Sequence, residues 1–322
     1  MSEFSKTFSA KDGYKMECEF KNFPVTFVNG LRRILIGGLP RVVISDIEII
    51  ENTSQMPHEM LEHRVRMLPV NVQPTDSEMI KNVKIELMAK NDDDNSAFIT
   101  TNHFTVQSGR DNVLMKDRDW DTPVLVMKLQ KGDRVRLTGK LTVQKENVSH
   151  VCTATSSWKV DPELAKLHKE KYVNDGGNPK VFDNFYIQKS YYKDDAGRPS
   201  WLILNLESIG VIPCGDLLKM AIAELTERVK SWIKLARDNI SRESELNVYS
   251  ISLQEGDHTI GALLQEIMYY RMEDVKFGSY DVPHPLLPTL VLRFLTESKP
   301  EDVLSQLEEK VYDYCKIVES GL

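Results

Sequence analysis

The sequence predicts an α+β protein with two similar β-α-β-β-α modules that pack through their helices, the first interrupted by a β-rich insert domain. Three observations lead to this prediction. Segments typical of strands and helices follow each other in the same order at the two ends of the chain. With 322 residues, the chain can form two domains that each bury a core. Between the two ends, apolar and polar residues alternate as they do in strands.

A strand over residues 14–20 and then a helix over 24–37 open the first module. The apolar residues of this helix recur with a 3.6-residue period and form one face: Phe27, Leu31, Ile34 and Leu35. Pro24 suits a first helical turn, and Pro40 prevents continuation. Gly30 inside the helix costs about 1 kcal/mol relative to Ala. It fits either close helix packing or an obligate interface with another helix.

The first module continues with a strand over 42–50, rich in β-branched residues, and resumes with a strand over 201–208. A long helix over 213–235 follows, and its apolar face includes Leu218 and Leu225. Between these strands the chain is β-rich, with two strands expected around a Lys-Gly-Asp turn within 124–143.

The second module is continuous. A strand over 247–254 precedes a helix over 257–271, whose inner face carries Ile260, Leu263, Leu264 and Ile267. Strands over 275–282 and 289–296 lead to a last helix over 300–318, with Leu307 and Val311 in register.

The predicted domain boundaries follow from these segments. Residues 1–70 and 200–240 form a discontinuous first module, residues 71–199 the insert domain, and residues 241–322 the second module.

The charge balance argues against a surface that grips nucleic acid. The formal net charge is −7, and residues 247–322 carry 13 acidic and 6 basic side chains. Residues 1–18 lack the apolar core of a signal peptide, and no run approaches the roughly 18 apolar residues of a membrane helix. Four dispersed cysteines fit a reducing intracellular compartment and argue against a cysteine zinc site.

Motifs for catalysis are missing. His58 and His63 flank glutamates as in a zinc protease, but they stand five residues apart, about 140° around a helix, instead of four. No phosphate-binding G-x-x-x-x-G-K-[ST] loop and no G-x-S-x-G elbow occurs. The residues therefore give no positive case for an active site, a catalytic residue, a cofactor or a metal.

Several motifs nevertheless resemble a known family. The motif NGLRR at 29–33, the Asn-Thr-Ser step at 52–54 and the motif EMLEHR at 59–64 before Pro69 resemble the signature of α-like RNA polymerase subunits. These are the bacterial α subunit, the archaeal D subunit and the eukaryotic third-largest subunit. The segment NLESIG at 205–210 is similar to the family's returning strand.

The C-terminal module resembles the small partner of that subunit, archaeal L or its eukaryotic eleventh-type counterpart. The resemblance rests on GDHTIGALL at 256–264, YDVPHPL at 280–286 and LVLRF at 290–294. Two families that pair with each other thus stand in order on one chain. We associate this fusion with large DNA viruses of eukaryotes.

The resemblance implies a non-catalytic assembly platform for DNA-dependent RNA polymerase, in which the modules pair within one chain and bind the two largest, catalytic subunits and small assembly subunits. DNA contact is then only indirect, and no membrane is involved. The helices carrying the twelve apolar residues named above form the interface. Four residues match positions near the surface that docks the second-largest subunit: Arg32, Arg33, His63 and Arg64. Some relatives carry a zinc or iron–sulfur site in the insert, which the missing cysteine cluster argues against here.

Two other functions remain open from the sequence. One is a standalone binding or regulatory module of polymerase ancestry. The other is a metal-dependent hydrolase that uses His58, Glu62 and His63. The location implied is intracellular, in the host cytoplasm or virion if the chain is viral, with the nucleus as the alternative.

Overall fold

The computed structural model describes residues 2–107, 110, 112–145, 149–243 and 247–322. Its helices and strands, in chain order, are β1 (Glu3–Ser9), β2 (Lys15–Lys21), α1 (Val25–Arg33), which continues into a π-helical turn (Ile34–Gly38), β3 (Arg41–Asn52), α2 (His58–Arg66), α3 (Ser77–Asn82), β4 (Lys84–Lys90), β5 (Ala97–Thr100), β6 (Phe104–Gln107), β7 (Leu125–Leu129), β8 (Arg134–Gln144), β9 (Cys152–Trp158), α4 (Pro162–Asn174), α5 (Pro179–Val181), β10 (Trp201–Ser208), α6 (Cys214–Arg237), β11 (Ile240–Arg242), β12 (Val248–Leu253), α7 (His258–Arg271), β13 (Val275–Asp281), β14 (Leu290–Thr296) and α8 (Pro300–Ser320).

The described residues pack into two compact units. The first unit contains Met1–Leu35, Ala154–Leu206 and Gly215–Leu322, and the second contains Ile36–Thr153 and Glu207–Cys214. The α+β class is confirmed, since helices and sheets are interspersed along the chain.

Two sheets of matching strand order characterise the described part of the first unit. One runs β1-β2-β10-β9 and the other β11-β12-β14-β13. Each has a central pair, β2 with β10 and β12 with β14. A helix follows the first central strand (α1, α7) and a long helix follows the second (α6, α8). The two modules are therefore structural counterparts, as the sequence predicts.

One strand of the first module differs from the prediction. We expected the strand over 42–50 to be the second strand of this module, but β3 pairs antiparallel with β8 over Arg41↔Gln144 to Asn52↔Val135, in the second unit. The place equivalent to β13 is taken by β9. The N–H and C=O groups of β3 form their hydrogen bonds in this long antiparallel ladder, so β3 does not also pair in the other sheet.

The apolar residues within the first unit explain its layers. Alternating side chains of β2 and β14 point to one face and are buried: Met16, Cys18, Phe20, Leu290, Leu292 and Phe294. Helix α7 packs on β13 and β14, and also contacts α1 and α8. The helices thus bury apolar residues on more than one side.

The second unit is a β-rich body with its own core. Its larger sheet has the order β3-β8-β4-β6, and β5 pairs with β7 in a smaller one. Helix α2 packs on β3 and β7 through Leu61 and Val65, which are fully buried. The strands β7 and β8 do flank the Lys-Gly-Asp turn, but each pairs with other strands rather than with its neighbour.

The predicted boundaries at residues 70, 199 and 240 stay a prediction. By Cα packing, residues 36–70 group with the β-rich body and residues 154–199 with the paired modules. Within the described ranges, no helix combines the length and apolar character needed to cross a membrane.

Candidate module interface

The twelve residues predicted for the helix interface all lie in the first unit and are all buried. They come from four helical segments: Phe27, Leu31, Ile34 and Leu35 at α1 and its π-helical turn, Leu218 and Leu225 on α6, Ile260, Leu263, Leu264 and Ile267 on α7, and Leu307 and Val311 on α8. The largest exposed fraction among them is 5%, at Ile260. Their burial fits the prediction, while their individual roles between the modules stay predictions.

Helix α1 of the first module packs against helix α7 of the second. Gly30 faces α7, and a Cβ atom built there would lie 3.5 Å from Thr259 Cγ2. That distance is an ordinary van der Waals contact, so a methyl group would fit. The close approach of the helices therefore does not by itself require the glycine.

The N-terminus of α1 is capped from the other module. Pro24 occupies the N-cap position and supplies no side-chain acceptor, and the first turn has no acidic residue. The Glu266 carboxylate on α7 accepts hydrogen bonds from the Val25 N–H, at 3.1 Å, and the Thr26 N–H, at 2.9 Å. A carboxylate there satisfies two helix-terminal donors and is favoured by the helix dipole.

The counterpart helix is capped differently. Asp257 precedes α7 and accepts from the Thr259 and Ile260 N–H groups of its own helix. One module thus caps itself and also supplies the cap that the other module lacks. Glu266 was not identified from the sequence. The signal that could have indicated it is a helix preceded by proline, with no polar residue to cap it.

A chain of aromatic rings extends from the first module to the last helix. The Phe20 ring contacts Phe4 and Phe23 edge-on, with ring centroids 5.0 and 5.3 Å apart, respectively. Tyr314 on α8 lies 5.4 Å from Phe23 and 5.6 Å from Phe27. Such aromatic pairs add about 0.5–1.5 kcal/mol beyond the area they bury. Burial raises the pKa of Tyr314; the nearby Arg271 opposes this rise, and the carboxylates of Glu266 and Asp313 add to it.

Helices α6 and α8 are joined by polar contacts at their surface. The Arg237 Nη2 atom donates to Glu308 at 3.2 Å and to Ser305 at 3.3 Å. These side chains are substantially exposed, so the ion pair contributes little, about 0–1 kcal/mol. Deeper in α8, burial raises the pKa of the Cys315 thiol to about 11.

A further contact ties α6 to the loop before α7. The Trp232 indole N–H donates to the Glu255 carbonyl at 3.1 Å, and the ring is 2% exposed. A buried indole needs such a partner, because an unsatisfied buried donor costs about 1–3 kcal/mol. The side chain therefore fixes the loop that carries the Asp257 cap.

The four predicted docking residues lie on two helices. Arg32 is half-buried and donates to Asn29 Oδ1 at 3.0 Å, whereas Arg33 is exposed, and both belong to α1 in the first unit. His63 and Arg64 are exposed on α2 in the second unit, where the Arg64 Nη2 atom donates to the Leu125 carbonyl at 3.3 Å. Their docking role stays a prediction.

The residues of the hydrolase alternative do not converge on a site. His58 and His63 are exposed on α2, and Glu62 forms an ion pair with Arg66 at 2.8 Å. Among the residues that the structure describes, no three His, Cys, Asp or Glu side chains are grouped so that they could hold a metal ion. This arrangement gives the hydrolase alternative no support.

Two sheet-and-helix modules that pack through their helices define a class of dimerisation-domain protein. Residues 17–229 match the model of the RNA polymerase Rpb3/Rpb11 dimerisation domain, and residues 249–321 match a second model of the same description. The chain belongs to the RNA polymerase Rpb3/Rpb11 dimerisation domain family. The chain is of the non-catalytic subunit class of an enzyme complex, DNA-directed RNA polymerase.

Individual relatives are consistent with this assignment. DNA-directed RNA polymerase subunit Rpo3 of Pyrococcus horikoshii is 24% identical over 245 residues, which cover 65% of this chain and 88% of the relative. DNA-directed RNA polymerase II subunit RPB3 of Schizosaccharomyces pombe is 23% identical over 270 residues, 73% of this chain and 87% of the relative. Subunit Rpo3 of Methanocaldococcus jannaschii is 41% identical over 51 residues, 16% and 27% of the two chains.

Proposed function

We propose that this chain carries both halves of the α-like pair on one polypeptide and serves as the assembly platform of a DNA-dependent RNA polymerase. The observation that carries the proposal is the contact of α1 with α7, in which Glu266 of the second module caps the helix of the first. Two matches to one dimerisation-domain family on a single chain support it. On one chain each module has its partner at high effective concentration.

The twelve buried residues named above form the apolar part of this internal interface. A permanent interface of this kind is hydrophobic and commonly buries about 2,000 Å² or more. Because the apolar faces meet inside one chain, the purified protein should be monomeric. Light scattering after gel filtration tests this expectation, and a stable dimer would contradict internal pairing.

The two largest subunits are the proposed partners, together with small assembly subunits. Arg32 and Arg33 on α1, and His63 and Arg64 on α2, are proposed to dock the second-largest subunit. The exposed arginines among them, Arg33 and Arg64, are suited to this role because opposite charges steer encounter and fix orientation. The net charge of −7 supports contact with DNA only through the complex.

Affinity purification of the tagged, full-length chain from its native cells, followed by mass spectrometry, tests the function. We expect two very large subunits to co-purify in equal amounts, and no nucleotidyl transfer by the chain alone. Recovery of the chain without them would contradict the proposal and favour a standalone regulator. Arg33→Glu should reduce their recovery, whereas the matched Lys230→Glu change at an exposed position of α6 should not.

The location proposed is intracellular, as for a transcription subunit. The viral origin suggested by the fusion stays a prediction, and with it a place in the host cytoplasm or virion rather than the nucleus. The proposed domain boundaries remain those at residues 70, 199 and 240.

A further inference from the structure

One loop of the second unit presents a tryptophan almost entirely to solvent. The Trp120 loop, residues 115–123, directly follows the bridge pairing Val70↔Leu114 and is closed by a second one between its own ends, Lys116↔Pro123. The Trp120 side chain is 80% exposed, while Trp232 is 2% exposed. Tryptophan is rarely displayed this openly, because its large ring gains most from removal from water.

The loop is held in shape by its own hydrogen bonds. The Asp117 carboxylate accepts from the Asp119 N–H at 3.0 Å and from the Trp120 N–H at 2.8 Å. The Asp117 N–H in turn donates to the Thr122 carbonyl at 2.8 Å. These bonds close the turn from both sides, so the backbone that carries Trp120 is ordered before any partner binds.

Arg118 fastens the loop to the end of β10. Its Nη1 atom donates to the Ser208 carbonyl at 2.8 Å, and its Nη2 atom donates to Glu207 Oε1 at 2.9 Å. The Arg118 side chain is 22% exposed. The loop is thus tied to residues 207–208 of its own unit, and the conformational entropy cost of presenting Trp120 is met during folding.

The charges around Trp120 indicate what kind of partner fits. The Trp120 loop and Glu207 together carry four carboxylates and two cationic side chains. Asp121 is 87% exposed and Asp119 60%; each forms an ion pair with a cation of the loop, Lys116 at 3.6 Å and Arg118 at 3.3 Å, so the set keeps an excess of two negative charges. An acidic rim disfavours nucleic acid phosphates and favours a protein surface with Lys or Arg.

A cleft beside the loop supports the same conclusion. It has a volume of about 290 Å³, and its lining combines an apolar part, with Met115 and Val124, and a charged part, in which three carboxylates outnumber two cations: Asp117, Asp119 and Glu207 against Lys116 and Arg118. An aliphatic side chain that ends in a cation matches both parts of this lining. Trp and Arg contacts are the commonest strong contributors at protein interfaces.

We propose that the Trp120 loop is a docking anchor for a protein partner that receives the indole in an apolar pocket bordered by Lys or Arg. The inference rests on the proposed function, since the partner is taken to be a subunit of the polymerase assembly. Trp120 fills the partner's pocket, and Asp119, Asp121 and Glu207 face its cations. The contact adds to the proposed docking residues on α1 and α2.

The test compares the free, full-length chain with the native complex purified through it. Hydroxyl-radical oxidation of Trp120 should fall at least about tenfold in the complex, while oxidation of the exposed control residue Phe185 reports general shielding. A photoreactive benzoyl-phenylalanine at position 120 should cross-link to a subunit peptide that contains Lys or Arg. Equal oxidation of Trp120 in both forms, or a cross-link to nucleic acid, would overturn the inference.

Variants give a second measurement. Trp120→Ala should weaken retention of the partner subunit in salt washes by about 30-fold or more, which is the loss typical of an anchoring residue. Asp121→Lys should weaken it through charge, and Phe185→Ala should leave it unchanged. Circular dichroism checks that the variants fold. Unchanged retention with Trp120→Ala would refute the anchor while leaving the platform intact, whereas failure of the wild-type chain to recover any large subunit would remove both proposals.

Discussion

Glu266 is the side chain through which the second module completes a helix of the first, and its removal gives the sharpest test of module pairing. Glu266→Ala deletes both hydrogen bonds to the N-terminus of α1, to Val25 and to Thr26. Pro24 offers no replacement acceptor. The two N–H groups must then find water or remain unsatisfied.

The expected change in the free energy of unfolding of Glu266→Ala follows from three contributions. Loss of an N-terminal cap typically costs about 1 kcal/mol, and up to about 2. Hydrogen bonds to charged groups contribute about 1.5–3 kcal/mol when shielded, but Glu266 is only half-buried, which places the effect at the lower end. Ala has a slightly higher helix propensity than Glu, which offsets a few tenths of a kcal/mol. We therefore expect a loss of about 1–2 kcal/mol.

The assay is equilibrium urea unfolding of the full-length chain, followed by circular dichroism and by tryptophan fluorescence, to which the buried Trp232 at the module contact contributes. The matched control is Glu309→Ala, which removes the same side chain from an exposed position of α8. That change should alter the free energy of unfolding by less than about 0.5 kcal/mol. If Glu266→Ala costs no more than Glu309→Ala, the cap does not hold the modules together and the reasoning fails.

A local cap should restore what Glu266→Ala removes. Pro24→Asp places an acceptor at the N-cap position, where φ is −58° and ψ is 135°. In the Glu266→Ala background it should recover about 1 kcal/mol. In the wild-type background it should gain less, because the donors are already satisfied and two carboxylates would repel. Equal effects in both backgrounds would show that the two sites are not coupled.

The two glycines of the paired helices should respond in opposite directions to Ala in urea unfolding. Gly30→Ala should raise the free energy of unfolding by up to about 1 kcal/mol, because the new Cβ atom would meet only Thr259 Cγ2, at 3.5 Å. Gly261→Ala should lower it by about 1–3 kcal/mol, because the new Cβ atom would lie 2.4 Å from a ring atom of the half-buried Tyr280. Leu264→Asp should prevent folding or assembly, since it buries a carboxylate at a fully buried position, and normal recovery in the pull-down would mean that this face is assigned wrongly. Burial raises the pKa of the Cys315 thiol from 9.0 to about 11 in the folded state. The unfolded chain therefore loses this proton first, and the free energy of unfolding falls by up to about 3 kcal/mol as the pH rises from 9 towards 11. In Cys315→Ala, the free energy of unfolding should fall less steeply over this pH range.

Much of the helical framework could be predicted from the order of residues. The apolar period of α1 selects Phe27 and Leu31, and the period of α8 selects Leu307 and Val311; all four are buried in the structure. The spacing of apolar residues identifies the buried face of a helix because it depends only on the 3.6-residue turn of that helix. It does not identify the neighbour, which is why the interface could be predicted as a face but not as a set of contacts.

The pairing of strands was harder to predict from the sequence. The pattern of the β3 segment predicts a buried strand in the first module, whereas the observed strand is buried only over residues 41–45 and pairs in the other sheet. The counterpart of β13 is β9, which begins 100 residues after β3 ends and showed no stronger pattern than its neighbours. A strand sequence specifies which face is apolar, while its partners depend on the closure of long loops and on competition among all available edges.

The chain's own residues were thus sufficient for the α+β class, the repeated order of elements, the apolar helix faces and the acidic balance that argues against direct DNA binding. Folding in three dimensions added the assignment of β3 to the β-rich body, the Trp120 loop fixed by Arg118, and the cap that joins the modules. Glu266 and Thr26 are 240 positions apart in the sequence and 2.9 Å apart across the helix terminus. No local pattern encodes such a contact, because its energy depends on two groups that meet only after both modules have folded and paired.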